Sequence, residues 1–291
     1  PDLNHIGGLL NTKKIREGIL EPAKTIAKGF EIKDADGKVM KVSAMPSNFG
    51  ELLSAQDVDD LVVYLESRRK PAKVLVYVHS GGWVHPVAKE GDGGLSLVES
   101  TWQDWAGVED GLEVVVDRDS TRFAKPDGLQ SFDAVFFYTT GSPPIGDEGK
   151  KNLMKFIREG GAFLGAHCAT DTFYDWPEYG DMLGGYFERH PWNEEVSVNV
   201  ENEKHPATQS LGNPFSIADE IYVFKDWSRD KVGQVLLSLN HPDGDFPISW
   251  TRKEGKGRVF YTSLGHRPEV WASDLFRRHL LGGTFWATRR K

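Results

Sequence analysis

Three histidines stand at the ends of apolar runs in this 291-residue chain: "VLVYVH" ends at His79, "AFLGAH" at His167 and "RVFYTSLGH" at His266. In open α/β sheets, ligands bind just beyond the carboxyl ends of the strands, so imidazoles delivered there could share one site. His85, in "GGWVHP", lies on the loop after the first run, and His190, in "FERHP", follows the segment after Asp171. Neutral imidazoles together with carboxylates suit zinc, manganese or iron. They equally suit metal-free acid–base chemistry, because an unperturbed imidazole titrates near pH ~6.5. No compact signature such as H-E-x-x-H decides between the two.

The stretch "AFLGAHCATDTFYDW", residues 162–176, concentrates the question. An apolar run that ends among small residues has the form of a nucleophile elbow, a sharp strand-to-helix turn that exposes the residue at its tip. By register that tip is His167, two residues after Gly165, and Cys168, the only cysteine, is one step further on. A catalytic cysteine must be a thiolate, which a nearby histidine or a helix N-terminus favours. A small cysteine packed beside a turn is the simpler reading. Asp171 could orient His167, ligate a metal or cap the helix that follows.

The elements that must position these residues fall into two parts. From residue 74, "VLVYVH", "LEVVVD", "DAVFFYTT" and "AFLGAH" read as buried strands with room for helices between them, which predicts a parallel sheet covered on both faces. "DEGKKNLMKFIREGG" reads as a helix with Leu153, Phe156 and Ile157 on one face and Gly160 closing it. Residues 194–265 look antiparallel: "VSVNV" alternates, and the turn "PDGD" joins "QVLLSLN" to "FPISWTR". "DLFRRHLLGGTFWAT" is a last helix. Residues 1–70 differ. "TKKIREGILEP" and "SAQDVDDLVVYLES" read as short helices, the second with Ser54 and Asp57 as a capping pair and Val58, Leu61, Val62 and Leu65 on one face. "SRRKPAK" forms the junction.

Composition narrows the function classes. The formal net charge is −8, which argues against nucleic acid as the main partner, since phosphate binding needs a basic face. No apolar run approaches the ~20 residues that span a bilayer. One cysteine allows no internal disulfide and leaves the redox compartment open. The opening "PDLNHIGG" shows no basic-then-apolar leader.

Residues 74–287 resemble the ThuA-like (trehalose utilisation) proteins, through "GGWVHP", "FIREGGAFLGAHCATDTFYDWPEYGDMLGGYFERHP", "HPAT", "DEIYVF", "PISWTRKEGKGRVFYTSLGH" and "HLLGGTFWAT". The resemblance implies an α/β fold: a flavodoxin-like, class I glutamine amidotransferase-like three-layer sandwich over residues 71–291. It also implies a pocket at the carboxyl edge of the sheet. The positions matching the family's recurring polar residues are His85, His167, Asp171, His190, Glu220, Arg252 and His266; His79 is outside that pattern. Amidotransferases carry G-x-C-x-G at the elbow, and here His167 stands where that cysteine would be, which argues against glutaminase activity. The family's association with sugar catabolism implies a small carbohydrate, a disaccharide or a keto-sugar, as substrate.

The expected enzyme is a sugar-active hydrolase, lyase or isomerase. His167, Asp171 and His266 would be catalytic, and His85, Glu220 and Arg252 would hold substrate, with Trp83, Phe173 and Trp176 stacking on sugar faces. His167, His190 and His85 would hold a divalent metal, zinc or manganese, if one is bound. The alternatives are a non-catalytic carbohydrate- or partner-binding module and a Cys168-dependent hydrolase. Residues 1–67 resemble the later part of a c-type cytochrome domain, mainly α-helical, through "PDLNHIGG", "ILEPAKTIAKGFE" and "SAMPSNFGELLSAQDVDDLVVYLES". That resemblance implies Met45 as an axial haem ligand, but only if a C-x-x-C-H lies upstream in a longer parent protein; none is present in this chain. A haem-bearing parent would be exported or periplasmic.

Overall fold

Strand and helix alternate from residue 72 because apolar runs too long for one-faced burial are sandwiched between helical layers. In the computed structural model the described residues are 10–24, 32–36, 38–40, 48–67, 70–239, 241 and 244–289. They divide into two compact units, one up to residue 71 and one from 72 to 290.

The larger unit is built on one nine-stranded sheet. Its strands are β1 (Ala72–Ser80), β2 (Leu112–Val116), β3 (Ala134–Thr140), β4 (Ala162–Ala166), β5 (Tyr186–Val200), β6 (Phe215–Lys225), β7 (Gln234–Leu239), β8 (Phe246–Glu254) and β9 (Gly257–Thr262). The order across the sheet is β2-β1-β3-β4-β9-β8-β7-β5-β6. The first five strands are parallel and the rest are joined antiparallel. Parallel neighbours need crossovers, and the helices that supply them cover both faces.

Alternation along each strand divides the core. Val74, Val76, Phe136 and Tyr138 face α1 (Leu97–Val108) and α2 (Asp274–Ala287), packing with Trp102, Trp105, Phe276 and Leu280. Leu75, Tyr77, Val135 and Phe137 face α3 (Gly146–Glu159) and α4 (Pro177–Leu183), with Leu153, Ile157, Tyr179 and Met182. Each such side chain contributes about 1.5–3 kcal/mol by leaving water. Local signals set the helix ends. Ser96 and Glu99 form a full capping box at the start of α1, and α3 stops at Gly160, whose φ of 129° suits glycine.

The antiparallel region starts earlier than its alternation suggests. β5 begins at Tyr186, and its pairing with β6 shifts register between Phe187 and Arg189 and again between Arg189 and Trp192. Pro191 has no N–H to donate to the ladder, and bulged stretches are where a strand tolerates proline. His190 therefore lies within a strand rather than on a loop.

In the smaller unit, helices Thr12–Leu20 and Ala55–Ser67 form as the sequence predicts. Ile15, Ile19, Val58 and Val62 make a small core, while Leu61 faces outward. Ser54 and Asp57 cap the second helix reciprocally. Strands Ile32–Lys33 and Val39–Met40 pair as a short antiparallel ladder. Met45 lies outside the described residues. No described helix is long and apolar enough to cross a membrane.

Candidate active site

β4 ends at Ala166, and the chain turns at once into a single 3-10 turn, His167–Thr170. His167 takes the tip with φ 45°, a left-handed conformation that non-glycine residues rarely hold unless their surroundings impose it. Small neighbours make the turn fit: a Cβ added at Gly165 would stand 3.0 Å from Cβ of Ala169 and 3.2 Å from the Tyr261 ring. His167 is fully buried, and its Nδ1 lies 2.8 Å from the carbonyl oxygen of Ser263. A carbonyl only accepts, so Nδ1 carries a proton, and in the singly protonated ring a lone pair is left on Nε2.

Three other chain segments meet that lone pair. His266, on the loop after β9, places Nδ1 3.2 Å from it. Glu220, on β6, places Oε2 3.5 Å from it and 3.3 Å from Nδ1 of His266. His85 packs its ring edge-on to both, with centroids 4.8 Å from His167 and 5.4 Å from His266. His85 arrives because the loop after β1 is tied to the end of β3: Gly81 N–H donates to the Thr140 carbonyl, and the Thr140 hydroxyl donates to the Trp83 carbonyl. Gly141 permits this approach, since a Cβ there would come within 2.6 Å of Gly81. Among the described residues, ligand-type atoms of His85, His167, Glu220 and His266 all lie within 4.8 Å of one another.

The electrostatics follow from burial and crowding. Burial, then the neighbouring His167 and His266, push the His85 pKa down to about 3, so this imidazole stays neutral. Its Nδ1 is sealed from solvent with no hydrogen-bond partner among the described residues. Burial would raise the Glu220 carboxyl, but hydrogen bonding and charge from His167 and His266, in the state where those rings carry a second proton, outweigh it and hold Glu220 well below the ordinary carboxylate range. Burial raises the Asp219 carboxyl, although His167 and backbone N–H donors oppose it.

The remaining expected residues sit elsewhere. His190 is half-exposed, with Nδ1 3.4 Å from Oε1 of Glu220, on the solvent side of the converging group and outside it. Asp171 accepts from the Tyr174 hydroxyl at 2.7 Å and is raised chiefly by burial. It does not orient His167; the Ser263 carbonyl does. Nor does it cap a helix, because α4 begins after Trp176. Phe173 and Trp176 are core residues packed on Tyr179, so Phe173, with 0% exposure, has no ring face open to a sugar. Arg252 pairs with Val259, three residues along from the Ser249–Thr262 pair at the edge, which puts it roughly 10 Å below the carboxyl rim. Trp83 is exposed on the loop that carries His85. His79 stacks on Tyr77 and lies outside the converging group. Cys168 is buried, and burial pushes its thiol well above its ordinary value, which disfavours the thiolate that a nucleophile needs.

Two residues of β6 escaped the sequence reading. Tyr222 lies two residues from Glu220 and so shares its face; its ring stands 4.2 Å from that of His167. The buried tyrosines 138, 179, 186 and 261 all bond their hydroxyls to backbone oxygens, whereas the hydroxyl of Tyr222 bonds nothing among the described residues. Asp219 is the second.

Residues 73–287 match the ThuA family, described as trehalose utilisation. The chain belongs to the ThuA family. Among solved structures it is similar to a protein described as ThuA-like from Bacteroides uniformis, at 25% identity and a TM-score of 0.61, over 76% of this chain and 92% of that one. A second, from Parabacteroides merdae, shares the fold at 17% identity and a TM-score of 0.60, over 75% of this chain and 90% of that one. No curated protein matches the chain. The family match begins at residue 73, so the cytochrome-like resemblance of residues 1–67 receives no support from it.

Proposed function

We propose that this ThuA protein is a divalent-cation-dependent enzyme acting by acid–base chemistry on a small sugar, a disaccharide or its keto derivative. The observation that carries this reading is the convergence of three imidazoles and one carboxylate at the carboxyl edge of the sheet. The donor set fits zinc or manganese. A cation held tetrahedrally at about 2.0–2.2 Å sets its donors roughly 3.3–3.6 Å apart; the separations among His167, His266 and Glu220 are 3.2, 3.3 and 3.5 Å. Without a cation, singly protonated rings would leave His167 Nε2 and the Glu220 oxygen to share one proton on Nδ1 of His266, and Nδ1 of His85 has no partner among the described residues.

His85, His167, Glu220 and His266 would hold the cation. Bound there, it would act as a Lewis acid on a sugar carbonyl or hydroxyl oxygen. Asp171 and His190 are the ionisable groups beside the cluster left to move protons, and Tyr222 has a hydroxyl free to donate to a substrate oxygen. Trp83 is the aromatic face open to a sugar ring. The family's description supports the substrate class, and the choice among hydrolysis, elimination and isomerisation belongs to the assay. Turnover of trehalose and 3-keto-glycosides should appear with zinc or manganese and disappear with chelator and in His167→Ala. An active His167→Ala protein overturns the reading.

A second reading, a non-catalytic carbohydrate- or partner-binding module, draws on the elbow that carries no usable thiol. Tight sugar binding by calorimetry with no turnover would favour it. Haem, and with it an exported location, enters only if a C-x-x-C-H precedes this chain in a parent protein, with Met45 as the axial ligand.

A further inference from the structure

His167 and His266 face each other, yet they are held in different ways. His167 is fixed through its side chain, by Nδ1–H on the Ser263 carbonyl. Histidines that bind metals usually have this kind of support on the second ring nitrogen. His266 lacks it: among the described residues, no protein group bonds its Nε2, and both of its close contacts, His167 and Glu220, belong to the cluster itself. Its ring can be placed only through its backbone.

That backbone is gripped by one side chain. Asp219 is fully buried on β6, and its carboxylate accepts three consecutive N–H groups of the loop: Gly265 on Oδ2 at 2.7 Å, and His266 and Arg267 on Oδ1 at 3.1 Å each. The loop is held from the other side as well. The Gly265 carbonyl accepts from the Tyr138 hydroxyl at 3.0 Å and from Nε1–H of Trp271 at 2.8 Å. Gly265 adopts φ 119°, which lets three successive N–H groups turn toward one carboxylate. The next residue on β6 is Glu220, so a single strand segment sets two corners of the cluster, one directly and one through the loop.

We infer that Asp219 is the positioning residue that places His266 and thereby sets the affinity of the site for its cation. This rests on the cation reading above. All three donors need an acceptor, and both oxygens are used. Asparagine would turn an NH2 toward at least one backbone N–H, so Asp219→Asn loosens the loop with almost no change in volume.

The test uses the full chain and zinc chloride alone. Calorimetric titration should show zinc binding to Asp219→Asn weakened by about 10–100-fold, the usual effect of losing support around a ligand. Leu153→Ala, in the opposite helical layer, should lower thermal stability and leave zinc affinity unchanged, which separates positioning from general destabilisation. Amide hydrogen exchange in the metal-free proteins gives an independent readout: residues 265–267 should lose protection in Asp219→Asn and keep it in Leu153→Ala. Wild-type zinc affinity in a folded Asp219→Asn protein overturns the inference. If wild type binds no zinc, the cation reading fails, and unchanged exchange at 265–267 then overturns the clamp separately. Should Asp219→Asn not fold, Asp219→Glu serves in its place, because the longer carboxylate cannot meet all three donors at once.

Discussion

The two halves of the sheet contribute to the site in opposite ways. The parallel half delivers His85, His167 and His266 from loops at strand ends, the first two positioned through backbone contacts at the sheet edge and the third through the carboxylate of Asp219, which the ribbon supplies. The antiparallel half delivers Glu220, Tyr222 and His190 from within a long ribbon, β5 and β6, whose bulged register carries it to the elbow. Loops at the carboxyl edge can carry any residue, because nothing about the sheet depends on their side chains. A ribbon residue has to satisfy pairing and chemistry together. The charge of the site therefore rests on the ribbon, while its imidazoles rest on the loops.

The largest expected effect is on the loop side. His167→Ala should abolish zinc binding by calorimetry and, with it, turnover. On the ribbon side, Glu220→Gln keeps the shape and removes the only carboxylate among the four converging groups. Zinc affinity should fall about 10–100-fold, which equilibrium dialysis would measure. Equal losses in the two variants would erase the contrast between halves.

Acid should separate packing from chemistry. Burial pushes His279 and His205 down to about 4, and neither belongs to the converging group. Each binds its proton more weakly in the folded chain than in the unfolded one. Stability from this source is complete above the ordinary histidine value of ~6.5 and drains as pH falls toward 4, by up to about 1.4 kcal/mol per pH unit for each. Urea midpoints measured from pH 7 to 4 should show the decline, and His279→Gln should reduce its slope. A smaller effect is expected from Tyr222→Phe: turnover about tenfold lower, zinc affinity unchanged. The smallest concerns Cys168, whose thiol should resist alkylation in the native protein and react only after denaturation.

Much of the fold was legible from local pattern. Continuous apolar runs marked β1, β3 and β4, since strands buried on both faces need apolar residues at every position. Gly165 and Ala166 marked the elbow, because only small residues fit such a turn. β6 was legible as a site element only at Glu220, and there only through the family resemblance. "ADEIYVF" is an acidic pair followed by an apolar run, and nothing local says that the acidic pair is buried.

The sequence by itself determined that strand ends carry histidines and that His167, not Cys168, takes the tip of the turn, because those features depend on residue size and periodicity over a few positions. Only the tertiary structure decided that Glu220 joins His85, His167 and His266, that Asp219 grips the loop of His266, and that Phe173 and Trp176 pack into the core while Arg252 sits mid-strand on β8. The physical reason is that these outcomes depend on how a bulged ribbon curves over the sheet. Curvature of that kind is summed over many backbone angles and contacts, and it is written at no single position.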